Sequence, residues 1–140
     1  MASFINENFV ALHAHIKEHP AYFHRFDAVW TPTLLLMDSD GTERLRIEGY
    51  LPKEEFRAHL EMGLARIVFM RKRWEEAEHR YTQIIENYPE TTVAPEAIYW
   101  KGICQYKRTN DHNVLGEVPK QLNVKYPDSV WALKASVWSH

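Results

Sequence analysis

The sequence predicts an α/β N-terminal half, with helices on a three-stranded sheet, followed by an all-α C-terminal half. Three observations support this. Up to about residue 52 the apolar residues come in short strand-like runs, and beyond it they recur with a helical period of about 3.6 residues. In addition, the C-terminal half contains a gapless internal repeat. We therefore predict two domains, at residues 1–62 and 63–140.

The first predicted strand is the apolar stretch Phe9–Ile16, which follows a helix end or polar turn at Ser3–Asn8. Pro20 then opens a short helix that runs to Phe26, because proline suits the first helical turn. A strand, a helix and a second strand in this order predict two parallel strands joined by a right-handed crossover.

The second and third predicted strands form a hairpin. Pro32 comes just before the apolar run Leu34–Met37. Proline is tolerated at the start of a strand, because it cannot donate a hydrogen bond to the sheet. The length of the run and its lack of polar residues predict a strand that is buried on both faces. Asp38–Gly41 is a turn cluster, and Glu43–Glu48 alternates polar and apolar residues as a returning strand does.

The C-terminal half is predicted to be helical throughout. An apolar stripe begins after Lys53, and Tyr88–Trp100 aligns without gaps on Tyr126–Trp138. In each copy a helix ends at Tyr-Pro, acidic and hydroxyl residues favour the next helix start, and small alanines allow close packing. Core packing also explains the aromatic residues at helical spacing. The apolar stripe after Lys53 consists of Phe56, Leu60, Leu64, Ile67 and Val68.

Four motifs follow one another in the first half. They are the strand and helix start at Phe9–Pro20, the approach to a proline at Phe26–Thr33, the hairpin turn at Asp38–Gly41 and the helix entrance at Gly49–Pro52. In this order they resemble the C-terminal part of a thioredoxin domain, over residues 3 to 62.

The second half resembles tetratricopeptide repeats. It departs from them in a longer period and in an irregular stretch at Val118 and Pro119.

The thioredoxin resemblance implies a cis Thr31–Pro32 bond, next to which the backbone pairs with an extended peptide substrate. The implied substrate-binding residues are Trp30, Thr31 and Pro32. The chain has one cysteine, Cys104, so it holds no Cys-x-x-Cys pair. We therefore expect no catalytic residue and no enzyme activity, and we interpret Cys104 as a buried structural residue.

The family has a central strand and a Cys-x-x-Cys helix before the strand placed at Phe9, and only eight residues precede Phe9 here. Either the chain starts inside a longer redox protein, which we favour because the start falls mid-domain, or it is a dithiol-free relative. Without the central strand, apolar strands expose unpaired edges, so we expect a homo-oligomer.

Other classes of site are not favoured. His13, His15, His19 and His24 form the densest titratable cluster, but solvated polar residues explain them better than a metal site, and we expect neither metal nor cofactor. Seventeen basic and nineteen acidic residues give no basic face for nucleic acid. No apolar run has the length of a membrane span and no signal peptide is evident, so we expect no membrane partner and a cytoplasmic location.

The residues support two readings of function. The first is a redox-inactive thioredoxin-like protein with helical repeats that binds a protein or an extended peptide. The second is an N-terminally truncated thiol-disulfide oxidoreductase whose Cys-x-x-Cys lies upstream of this chain.

Overall fold

The computed structural model of the chain describes residues 1–139. Within them a two-stranded antiparallel sheet lies between N-terminal and C-terminal helices, which confirms the mixed α/β class. The elements are α1 (Ala2–Asn8), α2 (Pro20–Arg25), β1 (Thr33–Met37), β2 (Glu43–Glu48), α3 (Lys53–Met70), α4 (Trp74–Asn87), α5 (Ala94–Thr109), α6 (Glu117–Lys125) and α7 (Val130–Ala135), with 3-10 turns at His112–Gly116 and Ser136–Trp138.

The prediction of a three-stranded sheet is wrong, because the sheet contains β1 and β2 alone in the described part of the chain. Residues 9–15 carry no regular secondary structure, and a turn follows at 16–18. The physical reason is pairing: a strand needs a neighbour for its backbone groups, and the Phe9–Ile16 segment has none in residues 1–139. The predicted parallel crossover is therefore wrong as well, since residues 1–139 contain no third strand to form it.

The hairpin forms at the predicted position. Leu34 lies opposite Ile47 and Leu36 opposite Leu45, so these four side chains share one face of the sheet. Leu36 and Ile47 are buried on that face. The expectation that the whole run Leu34–Met37 is buried on both faces is wrong, since Met37 is exposed and Leu34 and Leu35 are only half-buried.

Helix α3 joins the sheet to the helical half. It runs without a break through residues 62 and 63, where the predicted domain boundary lies. One face carries Ala58, Met62, Ala65 and Val68 into a buried cluster with residues of α4 and α5. Gly63 lies against the sheet, because a Cβ placed there would stand 2.1 Å from Leu36 Cδ2. A single helix therefore belongs to both packed layers.

The helical half packs around small residues and aromatic rings. Tyr81 and Ile84 of α4 lie against Ala97 of α5 in one cluster, and Val118 and Leu122 of α6 lie in a second. Val118 and Pro119, where the sequence predicts an irregular stretch, lie in the first turn of α6, directly after the 3-10 turn at His112–Gly116. No helix in residues 1–139 has both the length and the apolar character needed to cross a membrane.

The two copies of the internal repeat touch each other directly. Tyr99 in the first copy stacks on Trp138 in the second, with ring centroids 4.9 Å apart, and also contacts Trp131 at 5.1 Å. The Tyr126 hydroxyl donates a hydrogen bond to the Pro89 carbonyl at 2.5 Å. The aromatic residues therefore pack helix against helix, as the repeat pattern predicts.

Gly63→Ala is expected to destabilise the chain by up to about 2 kcal/mol. Overpacking against Leu36 costs about 1–3 kcal/mol, and the better helix propensity of alanine returns about 1 kcal/mol. In a Leu36→Ala background the added methyl group meets only the Cβ of residue 36, at 3.5 Å, which is ordinary van der Waals contact, so the change should become stabilising. Denaturant unfolding of the four proteins measures both effects, and a Gly63→Ala cost that persists without the Leu36 side chain contradicts this account.

Candidate functional site

The bend before β1 contains the three residues predicted to bind substrate. The Thr31–Pro32 peptide bond is cis. The Thr33 hydroxyl donates to the Trp30 carbonyl at 2.5 Å, and the Gly49 amide donates to the Pro32 carbonyl at 2.8 Å. Two of the three backbone carbonyls are therefore already bound inside the protein.

Thr31 differs from its neighbours. It is exposed, and its backbone amide and carbonyl make no hydrogen bond within residues 1–139. Trp30 is 65% exposed, and its indole lies 3.9 Å from the position that a Cβ on Gly49 would occupy. Gly49 has a φ of +86°, which glycine adopts at little cost. The bend thus presents one free backbone unit beside a large aromatic side chain.

The outer edge of β1 continues from this bend. In an antiparallel pair alternate residues direct their amide and carbonyl groups away from the partner strand. β1 pairs with β2 on one side, and no backbone hydrogen bond satisfies its other side in residues 1–139. The strand sequence Thr-Leu-Leu-Leu-Met has no charged residue. The edge is therefore open and apolar.

The outer edge of β2 is chemically different. Charged side chains protect an edge from association, and four of the six β2 residues are charged. Arg46 donates to the carbonyls of Phe26 and Asp27, and ion-pairs with Glu43 at 2.7 Å, which raises the pKa of the guanidinium. The contacts of Arg46 fix the segment that leads into Trp30, so β2 supports the bend while β1 faces outward.

An electrostatic contact holds the far end of β1. The Asp38 side chain is only 7% exposed, accepts a hydrogen bond from the Ser39 amide at 2.8 Å, and pairs with Arg44 and Arg71. The Ser39 amide first, and then Arg71, lower the pKa of this carboxyl below its usual value of 3.8. Because Arg71 follows the last turn of α3, the contact ties the end of β1 to the end of that helix.

The predicted histidine cluster does not come together. His13, His15, His19 and His24 are all exposed, and no group of three or more metal-ligating side chains occurs among the described residues. His15 Nδ1 accepts the Lys17 amide, and the His19 ring stacks on Tyr22. The histidines therefore make local contacts along the exposed N-terminal segment.

Cys104 lies in α5, inside the helical core. It is fully buried, and burial raises the pKa of its thiol to about 12, with Glu78 as a smaller cause. A nucleophilic or redox cysteine needs an accessible thiolate, which requires a lowered pKa. The environment of Cys104 favours a packing role.

A shallow groove of about 560 Å³ lies away from this bend, between the two Tyr-Pro corners. Pro89, Thr91, Lys125, Tyr126 and Trp131 are among its lining residues. The Tyr126 hydroxyl in its wall is already bound to the Pro89 carbonyl. The groove thus offers a contact surface between repeats and adds no group to the Trp30 bend.

Sequence reasoning missed two residues that build the site. Gly63 makes the close contact with Leu36 of β1. The sequence feature that could have revealed it is a glycine in the middle of an otherwise regular helical pattern. Arg46 positions the approach to Trp30, and nothing in its alternating strand context distinguishes it from other exposed arginines. Asp38 was interpreted only as a turn former, although it also binds Arg71.

The geometry can be compared with known families. Residues 2–63 match the family model of the thioredoxin-like domain. The match contains the Trp30–Pro32 bend and the hairpin and ends inside α3. The helices α4 to α7 lie outside it, so the tetratricopeptide-like assignment stays a prediction. No curated protein and no solved structure matches the chain.

Asp38→Asn is expected to lower the stability at neutral pH and to flatten its acid dependence. Because the folded-state pKa lies below 3.8, the stabilisation is complete above that value and is lost as the pH falls through the lower folded-state pKa. Asp40 has a lowered pKa too, so the flattening is partial. Urea unfolding across acidic pH measures it.

Asp128→Asn is the control for this experiment, because Asp128 is exposed at the second Tyr-Pro corner. The control is expected to keep the wild-type acid dependence. An Asp38→Asn variant whose acid dependence equals that of the wild type would show that the Asp38 contacts contribute nothing to folding.

Proposed function

We propose that this chain is a redox-inactive, thioredoxin-like interaction module that binds an extended segment of another polypeptide along the outer edge of β1. In strand addition, main-chain hydrogen bonds supply affinity and neighbouring side chains supply selectivity. The observation that carries the proposal is the open, uncharged edge of β1, which continues directly from the unpaired backbone of Thr31.

The side chains around the edge are suited to such a ligand. Val29 precedes Trp30 in the chain and Tyr50 follows Gly49, and both side chains are exposed. Exposed apolar side chains that form a patch are typical of interaction surfaces, and tryptophan is enriched at the residues that dominate binding. Trp30 is therefore the anchor of the proposed site, Thr31 its backbone contact, and Pro32 the start of the edge.

The proposal assigns no catalysis to this chain. Its single cysteine is buried in the helical core with a raised thiol pKa, and it lies outside the thioredoxin-like region. The partner is a protein or peptide, and binding needs no metal or cofactor, because backbone amides and carbonyls make the contact.

Trp30→Ala is expected to weaken binding of an unfolded polypeptide by about tenfold or more. The probe is reduced, carboxymethylated lysozyme, which cannot refold, and its affinity is measured by fluorescence anisotropy. Val124→Ala is the matched control, because Val124 is 83% exposed on α6. No binding by the wild type, or equal loss in both variants, contradicts the proposal.

The second candidate is an N-terminally truncated thiol-disulfide oxidoreductase, which the match of residues 2–63 to the thioredoxin-like domain supports. In that protein Trp30, Thr31 and Pro32 contact substrate beside a dithiol supplied by upstream residues. The transcript sequence before the Met1 codon discriminates between the candidates. An in-frame strand pattern followed by Cys-x-x-Cys establishes the oxidoreductase, and a stop codon directly upstream of Met1 excludes it.

A further inference from the structure

The structure contains a second unpaired segment besides the β1 edge. Residues Val10–Ala14 follow α1 without regular structure, and none of their backbone groups makes a hydrogen bond in residues 1–139. Val10 and Leu12 are 101% and 85% exposed. Phe9, which leads into the segment, has the extended conformation of a strand (φ −135°, ψ 154°). The segment thus has strand-like chemistry and no backbone partner within residues 1–139.

The segment and the edge are matched in length and in charge. Val10–Ala14 is as long as β1, which has five residues, and neither contains Asp, Glu, Lys or Arg. Successive side chains of a strand alternate between faces, so Val10 and Leu12 would lie on the same face of an added strand. The charged edge of β2 offers no such match. One chain therefore carries both the strand and the edge that it fits.

We propose that two copies of the chain exchange these segments, so that Val10–Ala14 of each copy adds to the outer edge of β1 in the other. The proposal rests on the proposed function of that edge and names a second copy as its partner. Within residues 1–139 of one chain, no backbone hydrogen bond joins the two elements. Exchange pairs the outward backbone groups of β1 with those of Val10–Ala14 that face it.

Reciprocal exchange has a defined stoichiometry. Each copy gives one strand and receives one, so the contact is isologous and closes as a two-fold dimer. Both strands already exist in an exposed state, and the exchange requires no opening of the α3 core. The expected product is therefore a dimer in rapid equilibrium with the monomer.

Sedimentation equilibrium over a wide concentration range tests the proposal, with Leu12→Lys as the disrupting variant. A lysine buried against the sheet should raise the dimer dissociation constant about tenfold or more. Val124→Lys is the matched control: it places the same charge on another exposed apolar residue, on α6, and should leave the dimer intact. Hydrogen exchange of residues 10–14 is measured in parallel and should be slow only in the dimer.

The outcomes separate cleanly. A dimer with protected residues 10–14 that Leu12→Lys dissociates and Val124→Lys does not supports the exchange. A wild type that stays monomeric overturns it, as does a dimer insensitive to Leu12→Lys. Protection of residues 10–14 in a monomer also overturns it, because the segment then pairs within its own chain.

Failure of the exchange does not remove the proposed function. The Leu12→Lys chain keeps an open β1 edge and should bind carboxymethylated lysozyme at least as well as the wild type. If the dimer forms as proposed and this variant binds no unfolded polypeptide, the exchange holds and general peptide binding at the edge fails.

Discussion

The contact between Gly63 and Leu36 sets the architecture of this chain. A hydrogen atom in place of a side chain lets α3 approach the sheet closely enough for Leu36 to fill the space that a Cβ would take. The neighbouring residues Met62 and Ala65 point into the cluster shared with α4 and α5. The hairpin therefore packs on a helix that the helical half has already fixed.

This arrangement explains how a sheet of only two strands persists. An isolated hairpin is marginal in water and gains stability when one face packs on a helix. Here Leu36 and Ile47 are covered on one face, and the Asp38–Arg71 pair holds the turn end of β1 to the end of α3. Rigid support on one face leaves the outer edge of β1 free. Stability and the proposed binding thus use different surfaces of the same strand.

The sequence predicted the elements that depend on local chemistry. The hairpin was predictable from Pro32, the Asp-Ser-Asp-Gly turn and the alternation in Glu43–Glu48, and the C-terminal helices from their apolar period and repeat. The prediction of a strand at Phe9–Ile16 was wrong. Apolar composition indicates only a propensity for strand, whereas strand pairing depends on a partner elsewhere in the fold. The position of the bend at Trp30 was predictable from Pro32, whereas the unbonded backbone of Thr31 could be recognised only from the hydrogen bonds of its neighbours in the structure.

The central claim is that α3 is one cooperative element, fixed by the helical core and carrying the sheet. Native-state hydrogen exchange across α3, followed in increasing denaturant, tests it most directly. We expect amides on both sides of Gly63 to exchange with the free energy and denaturant dependence of those in α4 and α5. If the half of α3 before Gly63 opens separately with the hairpin, the helix is two elements and the account is contradicted.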